Sequence, residues 1–415
     1  MSALLKSSMK FILIVSLILV SLLAYNWSRV AQLYGTITLF DEGVIVENFM
    51  NMNKIFPSVE IVSTSSPYFF SSKPVVLPTT YIYKDETHSI DSFLERSQTT
   101  ALLVLKGDDI THESYYQGTD EADRRISWSV SKSFLSAIFG VAVERGAIKS
   151  IEDQVIDYVP ELIGSGYENV SIKDVLQMSS GVRFDEDYQN FNSDINRFGR
   201  NMALGGSFDD FAKTLVNERE PGTFLHYVSI DTQVLGWVLR KATGETIVDY
   251  FNKHLWSEIH PEANTYYVTD GSGEPMVLGG LNMRTRDYAK FGRLYRDNGR
   301  WNGKQVIPEE WVKSSVTPDA EHLQPGVRDS SEIDLGYGYQ WWLPLNADQE
   351  FMALGVYDQF IYVNQKANVV IVKNSTNTRF MENNFESAHE TVEVFRAIVE
   401  SIKAEQVASN SISGK

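Results

Sequence analysis

A lysine at the start of an apolar helical segment is the feature that most constrains how this chain can fold. Residues Ser127–Phe134 read SWSVSKSF, and the apolar stretch AIFGVAV follows shortly after them. The pattern predicts a helix that begins near Ser129, runs to about Arg145 and stops at Gly146, a glycine typical of helix ends. Ser129 and Lys132 are three positions apart, so on this helix their side chains share a face and can meet.

Such a pair would have a chemical use. Unpaired backbone N–H groups at a helix start stabilise developing negative charge on Ser129. Lys132, if desolvated beneath the serine, would lose its proton and act as a base, although lowering a lysine pKa from about 10.4 to near 7 costs roughly 4–5 kcal/mol. The alternative is an ordinary helix whose lysine reaches solvent. Spacing alone leaves both open, because Ser7 and Lys10 repeat the pattern in the leader.

Local patterns elsewhere predict an α+β fold. Ser89 to Gln98 is typical of a short helix with a serine cap, and the alternating segment after it predicts a β-hairpin around Gly107. Helical patterns dominate residues 150–290, two strands are predicted between Asp358 and Asn374, and an amphipathic helix follows over Ser387–Ile402. Strands at both ends of a helical middle predict one α+β domain with a helical insertion.

The boundaries follow from these patterns. We expect the α+β domain to cover residues 85–403, after an irregular lead-in at 28–84 and before a disordered tail at 404–415. Residues 1–27 look like a signal anchor or signal peptide, because Lys6 and Lys10 precede the apolar run Phe11–Tyr25. A buried core helix is the other interpretation of that run. The basic flank places the body of the chain outside the cytoplasm, in the cell envelope and attached to the membrane or secreted.

Composition excludes several functions. The 415 residues carry a net charge of −17, which argues against a nucleic-acid partner, and they include no cysteine for disulfides or thiolate metal sites. No Gly-x-Ser-x-Gly elbow, His-Glu-x-x-His motif or phosphate-binding glycine loop is present. We therefore expect no metal and no cofactor.

Several segments, in order, resemble one family. SVSKSF resembles the nucleophile motif of the serine β-lactamase and penicillin-binding-protein superfamily, in its class C-like and esterase-like branch. The segments Ile151–Leu162, Ile172–Val182, Pro221–Leu239 and Gly279–Tyr295 are similar to the family's later segments. The resemblance covers about residues 85–400. It implies a β-lactamase/transpeptidase-like fold, in which an antiparallel sheet is flanked by helices, and a serine hydrolase acting on a small-molecule ester or amide.

The resemblance also implies roles for individual residues. Ser129 would be the nucleophile, and Tyr227, from the second motif, would share a proton with Lys132, either of which could be the base. Ser229 stands where the family usually has asparagine, as a substrate-binding residue with one hydroxyl in place of an amide. The backbone N–H groups of Ser129 and Val356 would form the oxyanion hole.

The third motif departs from the family. Gly355 matches the motif's glycine, where the backbone must approach substrate closely. The lysine and threonine that precede it in the family are Ala353 and Leu354 here. Because those two residues bind the carboxylate of β-lactams in the family, we expect poor penicillin hydrolysis.

A loop between the first and second motifs indicates which kind of substrate the protein binds. RFDEDYQNFNSD, Arg183–Asp194, resembles the corresponding loop of the 6-aminohexanoate-dimer hydrolases within the superfamily. Tyr188 would donate a hydrogen bond to substrate, and the acidic residues Asp185, Glu186 and Asp187 would hold a substrate amine. A solvated acidic loop is the alternative. For the whole protein, the rival to a hydrolase is a non-catalytic binding or sensor protein that has kept the pocket. The oligomeric state is left open.

Overall fold

An eight-stranded sheet lies at the centre of the computed structural model, which describes residues 3–25, 27–382 and 386–413. The helices are α1 (Ala3–Tyr25), α2 (Trp27–Ile37), α3 (Ile45–Met50), α4 (Met52–Ile55), α5 (Ile90–Arg96), α6 (Val130–Glu144), α7 (Val155–Tyr158), α8 (Ile172–Leu176), α9 (Asp194–Ala203), α10 (Phe208–Ala212), α11 (Ser229–Thr243), α12 (Ile247–Phe251), α13 (Thr285–Arg296), α14 (Glu309–Ser315) and α15 (Glu386–Ser413). Short 3-10 helices lie at Pro160–Leu162, Ser257–Ile259 and Glu321–Leu323, and a π-helix at Asn252–Trp256.

The strands are β1 (Ser58–Ile61), β2 (Ser71–Ser72), β3 (Thr80–Tyr83), β4 (Glu86–Ser89), β5 (Thr99–Lys106), β6 (Asp109–Tyr115), β7 (Arg124–Ile126), β8 (Thr265–Val268), β9 (Leu281–Arg284), β10 (Arg300–Trp301), β11 (Lys304–Gln305), β12 (Gly336–Tyr337), β13 (Trp342–Leu343), β14 (Glu350–Gly355), β15 (Gln359–Asn364) and β16 (Val369–Ser375). The central sheet has the order β12-β13-β14-β15-β16-β5-β6-β2. Its pairs are antiparallel except at the β6–β2 edge, which is parallel. A second sheet has the order β1-β8-β9-β7.

The central sheet is buried on both faces because successive residues of its strands point to opposite sides. On β5, Leu103 and Leu105 join the larger apolar core with α6 and α13, whereas Leu102 and Val104 join a second core with α5 and α15. Both faces are thus covered by helices, and the α+β architecture predicted from the sequence is confirmed.

Helix α6 is buried over nearly its whole length, from Val130 to Ala142. It packs against α11 and α12 on one side and against β14 and β15 of the sheet on the other. Its apolar side chains account for this position, but Lys132 is taken into the core with them and is 1% exposed. The start of α6 therefore brings a serine and a buried lysine to the edge of β14.

The predicted local elements are largely found. The helix capped by Ser89, the hairpin about Gly107, the helix after Ser129 and the two strands after Asp358 all occur. Within residues 150–290, however, β8 and β9 interrupt the helices because they complete the second sheet.

Two predicted irregular regions are ordered instead. The lead-in at 28–84 forms α2–α4 and β1–β3, because β1 pairs with β8 and α2 packs on α4. The tail predicted to be disordered from residue 404 continues α15 to Ser413, because no glycine or proline interrupts the chain between Glu386 and Ser413. Across residues 3–25, 27–382 and 386–413, no helix is both long and apolar enough to span a membrane.

Candidate active site

A cleft of about 520 Å³ opens where α6 begins and β14 ends. The loop at 183–188 closes one side of it, and Tyr227, just before α11, closes another. The side chains and backbone that line it are Ser129, Arg183, Phe184, Asp185, Glu186, Asp187, Tyr188, Glu218, His226, Tyr227, Glu332, Ile333, Trp342, Leu354, Gly355, Val356, Asp358, Phe380, Met381 and Ala388.

Ser129 is the residue that immediately precedes the first turn of α6. Gly355 is the last residue of β14, and it packs directly against the backbone of Ser127–Ser129. A Cβ atom on Gly355 would lie 2.6 Å from the carbonyl oxygen of Ser127 and 3.1 Å from the backbone nitrogen of Ser129. This position therefore requires glycine, and it brings the end of β14, with Val356 next in the chain, beside the backbone N–H of Ser129.

Lys132 lies behind the cleft, out of contact with water. Its Nζ donates to the Leu278 carbonyl oxygen at 2.8 Å and to Ser229 Oγ at 3.3 Å. Burial lowers the pKa of Lys132 from 10.5 to about 7, and the nearby carboxyl groups of Glu186 and Asp231 oppose that fall. A substantial fraction of this lysine is therefore a neutral amine near pH 7, with a lone pair available to accept a proton.

Tyr227 stands between the nucleophile candidate and the lysine. Its ring stacks on Trp342 with centroids 5.3 Å apart, and Lys132 Nζ lies 5.4 Å from the ring centroid. Burial, and then the carboxyl group of Glu186, raise the pKa of Tyr227, whereas its hydrogen bond with Ser129 opposes the rise. The phenol therefore keeps its proton at neutral pH, and it is bonded to Ser129 rather than to the lysine amine.

Glu186 makes hydrogen bonds within the site that the sequence did not predict. We expected it to face a substrate amine, but its Oε1 accepts the backbone N–H of Ser229 at 2.6 Å and its Oε2 accepts the Tyr188 hydroxyl at 3.1 Å. Burial raises its pKa, while Lys132 and these hydrogen bonds oppose the rise. The acidic run marked this loop, but nothing in it separated Glu186 from its neighbours Asp185 and Asp187, which are exposed.

The substrate-binding residues predicted from the sequence occupy different positions around this cleft. Tyr188 and Gly355 line it, and the Tyr188 ring packs edge-on against Phe380 with centroids 5.8 Å apart. Ser229 lies deeper, at the first turn of α11, and contacts Lys132. The structure thus brings the predicted residues together around one cleft.

The cleft wall carries a strong excess of acidic groups. Leu354 lines it at the point where the family has a polar hydroxyl residue, and Ala353 is buried in the apolar core. The lining includes six carboxylic acids, Asp185, Glu186, Asp187, Glu218, Glu332 and Asp358, against one arginine, Arg183.

The described residues contain no group of three or more His, Cys, Asp or Glu arranged to hold a metal ion.

Comparisons with known proteins identify the family and the fold of the chain. The family model described as Beta-lactamase matches residues 90–393. The 6-aminohexanoate-dimer hydrolase of Paenarthrobacter ureafaciens is 29% identical over 295 residues, which cover 69% of this chain and 75% of that protein. A structure from Bacillus anthracis, provisionally named a 6-aminohexanoate-dimer hydrolase, superposes with a TM-score of 0.79 at 23% identity and covers 88% of this chain and 96% of its own. A class C β-lactamase in complex with cefoxitin superposes with a TM-score of 0.54 at 16% identity, over 73% and 96% of the two chains.

Proposed function

Because the chain belongs to the β-lactamase family and is a serine hydrolase, we propose that it cleaves an ester or amide bond through an acyl-enzyme at Ser129. One observation carries this proposal. A buried lysine with a pKa lowered to about 7 lies one helical turn after a serine that opens into a cleft, beside a tyrosine bonded to that serine.

Acylation begins with the hydroxyl proton of Ser129. The proton leaves Ser129 along its hydrogen bond with the Tyr227 hydroxyl and is taken up by the Tyr227/Lys132 pair, while Ser129 Oγ forms a bond to the substrate carbonyl carbon. A high pKa of Tyr227 and a low pKa of Lys132 support the lysine as the final proton acceptor. The pair then returns the proton to the departing alcohol or amine as the carbonyl–heteroatom bond breaks.

The negative charge that forms on the carbonyl oxygen needs donors close to Ser129. The backbone N–H groups of Ser129 and Val356 suit this role because Gly355 holds the end of β14 against the first peptide of α6. Water then attacks the acyl-enzyme and gives its proton to the same Tyr227/Lys132 pair. This step releases the acid and restores the Ser129 hydroxyl.

The acidic wall supports a substrate with an amine. Carboxyl groups around the cleft attract an ammonium group and repel the carboxylate that β-lactams carry. The similarity to a 6-aminohexanoate-dimer hydrolase supports the same substrate class, since a linear dimer of this kind carries an amine and an amide, and its carboxylate lies at the end opposite the amine. We propose linear amides or esters that carry a positive charge near the scissile bond, and weak turnover of β-lactams.

The test compares matched substrates. The p-nitrophenyl ester and p-nitroanilide of 6-aminohexanoic acid should be hydrolysed about tenfold better than those of hexanoic acid at low salt, and the advantage should shrink as salt screens the cleft. A fluorophosphonate probe should label Ser129, and the Ser129→Ala variant should lose both labelling and turnover. A folded Ser129→Ala protein with near wild-type turnover would show that the nucleophile lies elsewhere. A preference for nitrocefin over the esters would contradict the proposed substrate class.

We also propose that the catalytic domain works outside the cytoplasm, in the cell envelope. The basic residues before the apolar run Phe11–Tyr25 support this location. A reporter enzyme fused after Lys415 should be active only on the outer side of the cytoplasmic membrane. Reporter activity in the cytoplasm would contradict it.

A further inference from the structure

The residues beside both oxyanion donors have unusual backbone conformations. Trp128, next to Ser129, has a φ of +44°, and Tyr357, next to Val356, has a φ of +61°. Bulky residues seldom adopt this left-handed region, and each instance strains the backbone unless its surroundings hold it. Contacts made by these two aromatic side chains therefore bear directly on where the two N–H groups point.

Both side chains are held by the N-terminal lead-in. The ring of Phe40, in the turn after α2, stacks on Tyr357 with centroids 5.0 Å apart and planes 12° apart. Phe49, on α3, contacts Trp128 edge-on at 5.5 Å and Tyr357 edge-on at 5.2 Å. The Trp128 and Tyr357 rings are themselves 6.0 Å apart. Together, Phe40, Phe49, Trp128 and Tyr357 form one aromatic cluster beside the peptides of Ser129 and Val356.

We propose that Phe40 and Phe49 are positioning residues for hydrolysis, which act by holding Trp128 and Tyr357 in the backbone conformations that aim the oxyanion donors. This inference rests on the proposed function. It assigns a catalytic contribution to a segment of the chain that precedes the residues matched by the family model, 90–393.

Phe40 and Phe49 act on the alignment of the donors rather than on overall stability. Stacked and edge-to-face rings attract each other beyond the effect of the area they bury. Four ring contacts from Phe40 and Phe49 to Trp128 and Tyr357, of which one is stacked, two are edge-on and one is tilted, oppose the strain of two left-handed residues. Removing one ring allows the strained backbone to relax, and a small displacement of an oxyanion donor lowers the rate without emptying the cleft.

Phe40 offers the cleaner substitution, because its side chain is 43% exposed whereas Phe49 is 4% exposed. The Phe40→Ala variant is compared with wild type on a p-nitrophenyl ester and on the matching thionoester, in which sulfur replaces the carbonyl oxygen. Sulfur accepts hydrogen bonds weakly, so the ratio of the two kcat/KM values reports how well the donors are aimed. A reduced fraction of folded enzyme lowers both values equally and leaves the ratio unchanged.

We expect Phe40→Ala to lower kcat/KM about tenfold on the ester and less than about twofold on the thionoester. Tyr34→Ala is the matched control, since this aromatic residue lies on the preceding helix α2, is 69% exposed and makes no ring contact among the described residues. It should leave both values unchanged. If Phe40→Ala does not fold, Phe40→Leu, which keeps the apolar contact without stacking, is measured by the same criterion.

Equal losses on both substrates, or no loss, would overturn the inference while the proposed function stood. An unchanged ester-to-thionoester ratio in a variant that is still labelled at Ser129 is therefore the decisive negative result. A wild-type protein that neither turns over esters nor is labelled at Ser129 would overturn the proposed function and this inference together.

Discussion

Replacing Lys132 with methionine should abolish turnover and, at neutral pH, stabilise the fold. The lysine side chain is enclosed in the protein, and its pKa falls from 10.5 to about 7 on folding because burial disfavours the charge. Folding at pH 7 must therefore either bury the charged amine or remove a proton that the unfolded chain holds firmly. Methionine has nearly the same length and shape and carries no charge to desolvate.

The size of the effect follows from linkage. At about 1.4 kcal/mol per pH unit, the depressed pKa of Lys132 costs about 4 kcal/mol of stability at pH 7. The substitution also leaves the Leu278 carbonyl oxygen and the Ser229 hydroxyl without the lysine donor, which costs about 1 kcal/mol each. We therefore expect a net gain of about 2 kcal/mol.

The stability difference between Lys132→Met and wild type depends on pH. The penalty on the native lysine is full below pH 7, where the amine is charged in both states and the folded site must bury that charge. Between pH 7 and pH 10.5 folding releases a proton from the lysine, so the penalty falls as the pH rises. It disappears above pH 10.5, where the amine is neutral in both states. The advantage of the methionine variant should accordingly shrink between pH 7 and pH 10, as measured by urea unfolding at several pH values.

Lys290 supplies the matched control. It is equally buried, but its Nζ lies 3.0 Å from Asp287 Oδ1 and 3.8 Å from Glu262 Oε1. Lys290→Met leaves the buried Asp287 without its cation, whereas Glu262 keeps Arg286 at 3.5 Å, and the substitution should cost about 3 kcal/mol. A Lys132→Met protein that is less stable than wild type at pH 7, or whose gain does not depend on pH, would refute the reasoning.

Other variants test the remaining contacts of the site. In wild type, kcat/KM should rise with pH through an apparent pKa near 7, as Lys132 becomes neutral. Glu186→Gln removes an anion that favours the lysine charge, so this limb should move about one pH unit lower, whereas Glu332→Gln, at the exposed rim, should leave it in place. Gly355→Ala forces a Cβ atom to within 3.1 Å of the Ser129 nitrogen, and steady-state assays should show a loss of about 100-fold; near-normal turnover would contradict the close approach. Ser129→Ala and Lys132→Ala should each cost at least about 10³-fold, and additive losses in the double variant would show that the two do not act as a unit.

Much of the local structure could be predicted because it depends on neighbours in sequence. Helix α6, the hairpin about Gly107 and the helix capped by Ser89 follow from periodicity, turn residues and capping within a few positions. The lead-in could not be predicted in this way. Its strand β1 exists because it pairs with β8, more than 200 residues later in the chain, and no local pattern carries that information.

The candidate site divides in the same manner. Ser129, Lys132 and Tyr227 could be named from motifs, because their spacing within short segments carries the family's chemistry. Glu186 could not be singled out, because only its two hydrogen bonds, to the Ser229 backbone and to Tyr188, distinguish it from the neighbouring acidic residues. Which carboxyl group of an acidic loop turns inward depends on the packing of that loop against α11.

The sequence by itself determined the α+β class, the placing of Ser129 and Lys132 three positions apart at the start of one helix, and the acidic character of the chain. Only the tertiary structure decided that Lys132 is enclosed and partly neutral, that Tyr227 is bonded to Ser129, and that Phe40 and Phe49 pack on Trp128 and Tyr357. Periodicity and spacing describe contacts along the chain. Desolvation and ring packing arise from groups distant in sequence, and these long-range contacts decide the pKa of Lys132 and the surroundings of Ser129.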